Sequence, residues 1–276
     1  MFDERIALAL PSLAGYELFE ALSKARVMGF QSVMGFPGGP KTSHSLGEFP
    51  TFGLYGADEA HRAYLRQALR DFRHVSMHQA WDTEPRAWVD CAAEIGAEVL
   101  TVHARIPGDG RDRDKALSER AEALRQIGDD AGERGIRVGV ENEGGRCVDY
   151  LHLIERTNHP AVGAAIDVGH CAYFDTVRGI GDVDERGDAL NELIGNLVDA
   201  LGDRLYHFHV HNVRGKDWRD HRTVTKGVVD FAALFAKLKS AGYSGLFDIE
   251  LEEPEKEKMA ADTGACLTAL CGEVDL

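Results

Sequence analysis

The sequence predicts an α/β chain folded as a single (β/α)8 barrel, and three observations lead there. Short β-rich runs alternate with longer amphipathic segments along the whole chain, eight of each. Several of the short runs (IALAL, VLTV, VGAAI) are apolar throughout, the composition of parallel strands buried on both faces. Six of the eight runs finish on an ionisable residue: SMH78, LTVH103, VGVE141, AAID167, HFH209 and DIE250. In a closed barrel those ends form one ring at the carboxyl-terminal mouth. An open doubly wound sheet would show the same alternation, so the count of eight is what favours closure. A length of 276 residues lies a little above the about 250 of one such barrel, so one domain over 1–276 is expected.

The elements follow in order. A strand at 5–10 leads to a helix at 16–28, and a strand at 32–35 precedes a long loop at 36–57 and a helix at 58–72. Strands at 74–78, 99–103, 137–141 and 163–167 are each followed by a helix, at 85–95, 114–134, 149–156 and 188–201. The strand at 205–209 runs into a second long loop, 212–229, before a helix at 231–241, a last strand at 246–250 and a closing helix at 255–271. Gly29, Gly96, Gly135 and Gly242 stand just past a helix and just before a strand, where a C-cap glycine belongs. Both long loops fall on the face of the strand ends, and long loops in compact domains carry function.

Composition narrows the partners. The 31 Lys and Arg against 46 Asp and Glu give a formal net charge of −15, a field that repels polyphosphate and disfavours a nucleic-acid partner. No apolar run approaches the ~18 residues of a membrane helix, and the N-terminal stretch lacks a signal peptide's positive region, so no membrane partner and a cytoplasmic location are expected. Five cysteines without C-x-x-C spacing read as reduced packing residues rather than as disulfides or a zinc ribbon.

The strand-end residues carry the chemistry. Carboxylates and imidazoles converging in one cavity need partners, because a buried unpaired charge is costly, and a divalent cation is the simplest partner. Singly, each has an ordinary reading. Glu141 in VENEGG could hold an arginine, and Asp167, in a D-x-x-H unit with His170, could be a helix N-cap. His207, His209 and His211 share one strand face, so His207 could lie against the barrel wall and His211 cap the next loop. His78 and His103 could be core histidines, and Glu252 and Glu253 beside Glu250 read as a solvated cluster. The joint pattern of Glu, Asp, His and Glu on strands five to eight is the specific signal.

Those motifs, with the turn KGVVDF at 226–231, resemble the xylose-isomerase-like TIM barrel superfamily of sugar-phosphate isomerases and epimerases, over nearly the whole chain. The resemblance implies one divalent metal ion, commonly Mn, Mg, Co or Zn, held by Glu141, Asp167, His209 and Glu250. A mostly oxygen ligand set with one imidazole suits Mn or Mg, and Mn is favoured. It further implies that Glu141 and Glu250 form the acid/base pair of a metal-dependent isomerase or epimerase. The substrate would be a carbohydrate or related polyhydroxy carbonyl compound, reacting through an enediolate. His170, His78, His103 and Arg214 are the expected substrate contacts, and relatives are often homo-oligomers.

Two departures stand out. Asn212 replaces an aspartate common in relatives, and Cys147 falls where the ketose 3-epimerases have a further substrate-binding glutamate. Loss of a β-hydroxyl would make the chain an inosose-type dehydratase instead. An apurinic-endonuclease-type zinc phosphodiesterase would use His78 and His103 as added zinc ligands, but its D-x-H pair is here Arg219-Asp220-His221 and the charge is wrong for DNA. A non-catalytic sugar-binding barrel would be favoured by a missing ligand, and none is missing. Trp81 and Trp218 in the loops could shield a sugar from water, or simply pack.

Overall fold

The structure, a computed structural model, describes residues 1–38, 46–80, 84–106 and 112–276, with the backbone of 43–44. Trp81 and part of the 36–57 loop lie outside the described residues.

Eight parallel strands close into the expected barrel: β1 (Ile6–Ala9), β2 (Ser32–Gly35), β3 (His74–His78), β4 (Val99–His103), β5 (Arg137–Glu141), β6 (Val162–Asp167), β7 (Leu205–Val210) and β8 (Leu246–Ile249). Each pairs with its chain neighbours and β1 pairs with β8, so no edge is left open. The helices of the outer ring are α1 (Leu18–Met28), α2 (Glu59–Leu69), α3 (Pro85–Ile95), α4 (Arg113–Gly132), α5 (Cys147–Thr157), α6 (Val183–Leu201), α7 (Phe231–Ser240) and α8 (Lys256–Val274). Every expected strand and helix is present, displaced at its ends by five residues at most, the start of the helix expected at 188–201.

Local chemistry explains the joints. Asp58, Asp112, Asp182 and Asp230 cap α2, α4, α6 and α7, each side chain accepting from a backbone N–H in the first turn. Gly29 and Gly96 end α1 and α3 with φ of 105° and 68°, a conformation that costs any residue with a Cβ. Outside the barrel wall, Phe235 stacks on Phe247 at 4.9 Å between ring centres, and Phe208 meets Tyr243 edge-on at 5.2 Å. This seals α7 onto β7 and β8, and burying each such ring contributes about 2–3 kcal/mol.

Two features were not legible as elements. The long 212–229 loop is built around a two-stranded antiparallel ribbon, Asn212–Arg214 with Arg219–Arg222. Its staple is Asn212, whose Oδ1 accepts from the N–H groups of Val213 and Val229 at 2.8 and 2.9 Å while Nδ2 donates to the Val224 carbonyl at 3.1 Å. An aspartate has no N–H for that last bond, which accounts for the amide here. The loop after β6 forms two short helical turns, His170–Tyr173 and Asp175–Arg178.

Candidate active site

Strand register assembles the site. His103 and Glu141 are partners across β4 and β5, and Asp167 and His209 are partners across β6 and β7. Residues paired in a parallel sheet face the same way, so all four point into the barrel mouth. Glu250 lies one residue past β8 and stays anchored there, its N–H donating to the Val210 carbonyl at 3.4 Å.

Glu141, Asp167 and His209 offer atoms within 4.8 Å of one another, and Glu250 adjoins them through His209. His209 Nδ1 is 2.9 Å from Glu141 Oε1, 3.7 Å from Glu250 Oε2 and 4.0 Å from Asp167 Oδ2. Atoms bound about 2.1 Å from one octahedral cation stand about 3.0 Å apart when adjacent and about 4.2 Å when opposite. The observed spacings span that interval. Asp167 Oδ2 is buried with no hydrogen-bond partner. An orphaned carboxylate oxygen beside an imidazole nitrogen and two further carboxylates is a donor set that fits a hard or borderline divalent cation.

Neighbours fix each ligand. Asn142 clamps the Asp167 backbone from both sides, accepting from its N–H at 2.8 Å and donating to its carbonyl at 3.1 Å. Thr101 Oγ1 lies 3.3 Å from His209 Nε2, which leaves Nδ1 facing the carboxylates. Glu141 Oε2 accepts from His78 Nε2 at 3.1 Å and lies 3.0 Å from His103 Nε2, while Glu143 lies 3.2 Å from the other nitrogen of His103. His78 and His103, expected as substrate contacts, are thus committed through one ring nitrogen each to Glu141, although both rings line the cavity.

His170 reaches the same place, its Nδ1 3.7 Å from Asp167 Oδ2 and 3.8 Å from Glu141 Oε1, with its side chain 24% exposed. Arg214 does not. Its guanidinium pairs with Asp217 at 2.5 and 2.8 Å on the outer side of the ribbon, because the antiparallel turn points it away from the barrel axis. Trp218 is also absent from the cavity lining and stacks under Arg186 at 3.8 Å.

Sequence reasoning left two participants, His211 and His221, out of the site. His211, read as a possible loop cap, is fully buried and stands 3.2 Å from Asp167 Oδ1 without the alignment of a hydrogen bond. Gly169 makes room for it, since a Cβ there would lie 2.1 Å from His211 Nε2. His221 enters the cavity from the ribbon with φ of 56°, its Nε2 3.5 Å from Glu250 and its Nδ1 3.0 Å from Asp220, which Tyr173 holds at 2.7 Å. No composition or spacing rule announces a histidine placed by a left-handed backbone turn. The histidine-rich HFHVHN run was the only signal for His211. Below the mouth, His207 and Ser76 both bond Asp248 Oδ2 at 2.7 Å, so His207 takes the wall position allowed for it.

Electrostatics keep the carboxylates ionised. Burial would push Glu141 up, yet the His209, His103 and His78 imidazoles outweigh it and hold the carboxyl well below its usual range. Glu250 is likewise held down against burial by His209 and His221, and Asp167 by His170 and His211. Burial opposes a charge on His209, but Glu250 and Glu141 carry it up to about 10. His103 rises to about 9 against burial through Glu141 and Glu143. The cavity between these groups has a volume of about 200 Å³, with Phe36 and Phe49 supplying an apolar wall.

Comparison with known proteins gives a consistent frame. Residues 83–270 match the model of the xylose isomerase-like TIM barrel family. A 3-dehydroshikimate dehydratase of Pseudomonas putida is 24% identical over 202 residues, 68% of this chain, and the match spans only 29% of that protein's length. Among solved structures, a D-tagatose 3-epimerase-like protein superposes with a TM-score of 0.70 at 18% identity, covering 100% of this chain and 98% of that one. A xylose isomerase-like TIM barrel protein from Mycobacterium smegmatis, in complex with magnesium, superposes with a TM-score of 0.67 at 14% identity, covering 99% of each chain. Among the described residues no helix is long and apolar enough to cross a membrane. With about two thirds of its length matched by the family's own model and a closed eight-stranded parallel barrel, the chain belongs to the xylose isomerase-like TIM barrel family.

Proposed function

We propose that this chain is a divalent-cation-dependent isomerase or epimerase of a sugar or related polyhydroxy carbonyl compound. The observation that carries the reading is the cluster of Glu141, Asp167 and His209 Nδ1, with Glu250 Oε2 3.7 Å from that nitrogen and Asp167 Oδ2 otherwise unsatisfied. When bound there, a cation would polarise a carbonyl and a neighbouring hydroxyl of the substrate and so acidify the C–H beside the carbonyl.

The chain's residues supply the rest. Glu250, its side chain 15% exposed and lining the cavity, takes the proton from that carbon to leave an enediolate. In isomerisation Glu250 gives that proton back to the neighbouring carbon. In epimerisation Glu141, handed a proton by the His103 imidazolium 3.0 Å away, protonates the opposite face, and exchange with solvent then resets Glu250 and His103. Both carboxyls titrate low and are weak bases, so placement against an acidified C–H has to do most of the work. His170 donates to a substrate oxygen, and His78 and His103 hold Glu141 in place. The apolar wall and the buried floor exclude bulk water, which strengthens each of these contacts. Arg214 has no part in this reading.

Dehydration is the second reading, favoured by the sequence-level match to a 3-dehydroshikimate dehydratase. The same proton removal followed by loss of a β-hydroxyl would give it, with His221 beside Glu250 as the nearest additional donor.

The test combines cation content with exchange. Protein purified without chelator and re-equilibrated with Mn, Mg, Co and Zn should retain about one ion per chain. It should then catalyse solvent deuterium uptake beside the carbonyl in a panel of ketoses, inososes and hydroxy-keto acids. Absence of any retained ion, or of exchange across the panel, overturns the proposal. Two or three zinc ions would instead favour phosphodiester hydrolysis.

A further inference from the structure

The ribbon that carries His221 has little stability of its own, as any isolated pair of strands does, so what it packs against decides where its side chains point. Its base is tied by the Asn212 staple and by the Glu252 N–H, which donates to the His221 carbonyl at 2.9 Å. Neither contact touches the His221 ring. His211 supports one face of that ring, at 4.1 Å between centres, and leaves the direction of its nitrogens to other contacts. Two residues of the ribbon, Trp218 and His221, have φ of 56°. That left-handed conformation is costly for a large side chain and persists only where the surroundings impose it.

At Trp218 the surroundings are α6. Arg186, in the first turns of that helix, holds its guanidinium 3.8 Å from the centre of the indole ring. Among the described residues Arg186 forms no ion pair, so the stack is not a by-product of surface charge pairing. The tip of the ribbon is seated on the same helix at Gly215, where a Cβ would lie 3.1 Å from Val183. The guanidinium also donates from Nη2 to the Ala172 carbonyl at 3.1 Å. Ala172 belongs to the His170–Tyr173 turn, which brings His170 into the cavity. A planar guanidinium can stack by its face and donate from its edge at once, which a lysine ammonium cannot do.

From that turn the contacts run back to the ribbon. The Tyr173 hydroxyl donates to Asp220 Oδ2 at 2.7 Å, and Asp220 Oδ1 lies 3.0 Å from His221 Nδ1. His221 Nε2 is then 3.5 Å from Glu250 Oε2. Arg186, Trp218, His221, Asp220, Tyr173 and Ala172 thus form a closed circuit, in which one helix side chain joins the loops after β6 and β7. Arg186 itself does not line the cavity.

We propose that Arg186 is a positioning residue: by holding Trp218 and the Ala172 carbonyl together, it fixes the His221 imidazole against Glu250. The circuit stands without the isomerase reading, and its effect on turnover rests on that reading.

The test follows the His221 ring directly, in the full chain labelled with ¹³C-histidine and treated with chelator. The ring signal is assigned by its loss in His221→Gln. At one fixed pH, Arg186→Ala should shift or broaden that signal and speed amide hydrogen exchange in both 170–178 and 212–222 by about tenfold. Trp218→Ala should do the same to the ring and to 212–222, while Trp218→Phe, which keeps an aromatic face, should restore the wild-type signal. An unmoved ring signal in Arg186→Ala, or unchanged exchange in either segment, overturns the proposal. On whichever carbonyl compound shows solvent deuterium uptake, Arg186→Ala should lower kcat about tenfold with KM kept within about twofold. Unchanged kcat, or a change confined to KM, likewise overturns it. The ring signal and the amide exchange need no substrate, so failure of the circuit is seen apart from failure of the isomerase reading, which shows as no deuterium uptake by the unsubstituted protein.

Discussion

Cation binding at the barrel mouth should release one proton, and its origin is identifiable. At pH 7 the His209 ring, carried up to about 10 by Glu250 and Glu141 against the opposing effect of burial, holds a hydrogen on both nitrogens. One lies against Thr101 Oγ1 and the other against Glu141 Oε1. A cation taking the Nδ1 lone pair must displace the second. The three carboxylates are already ionised at that pH and contribute no proton. Apparent affinity should therefore climb about tenfold per pH unit between pH 6 and 8, and at pH 7 proton competition weakens it about a thousandfold relative to the fully deprotonated ring. Titration calorimetry with Mn²⁺ in two pH 7 buffers of unequal ionisation enthalpy reads the proton count directly, with about one expected. Tight binding with no proton released would show that His209 Nδ1 is not a ligand. In His209→Gln, binding should be weaker and the released proton should vanish.

Glu250→Gln should lower solvent deuterium exchange by about 10²- to 10⁴-fold while the thermal transition changes little, and near-normal exchange would remove Glu250 from the proton transfer. Gly169→Ala puts a methyl into His211 and Asp220, at 2.1 and 2.9 Å, so a loss of at least about 2 kcal/mol is expected in urea melts; wild-type stability would mean that the His211 ring is free to move. Tyr150→Phe removes a hydroxyl that donates to the carbonyls of Val140 and Ala165 at 2.7 and 3.0 Å, and should cost about 1–3 kcal/mol with activity largely kept. For chelated protein, the low folded pKa of Asp167 gives stability that is present above about pH 4 and lost as pH falls through the folded value. The raised His209 works the other way, its contribution complete below about pH 6.5 and lost as pH rises toward 10. Melting temperature against pH should thus peak between these limits, and a maximum above pH 9 would contradict the signs.

The barrel was legible because two periodicities agree: apolar runs of strand length, and glycine or aspartate punctuation at the helix ends. The position of Glu141, Asp167, His209 and Glu250 at the mouth was legible for a related reason, since strand ends in a closed parallel sheet can only converge. What escaped was set by loops. Arg214 sits four residues past the strand's end at Val210, and a ribbon with a left-handed turn decides where it points. The same turn brings in His221, which no strand-end rule could place. The Asn212 staple depends on a carbonyl 12 residues away and an N–H 17 residues away, a pairing that composition does not encode. His78 and His103 were located correctly at the mouth, but only coordinates show that each aims a nitrogen at Glu141.

The crowding of imidazoles on Glu141 also constrains how such a protein can change over generations. His78, His103 and His209 all aim a nitrogen at that one carboxylate, two of them on a single oxygen. An apolar residue at 141 would take the shared acceptor from three buried rings in a single step, and the loss of any one ring loosens the remaining pair. Drift at these positions is therefore expected to proceed in blocks, with compensating partners arriving together. On the outer side of the ribbon Arg214 is tied only to the exposed Asp217 and is free to vary singly, which makes that face the easier place for inherited novelty to accumulate.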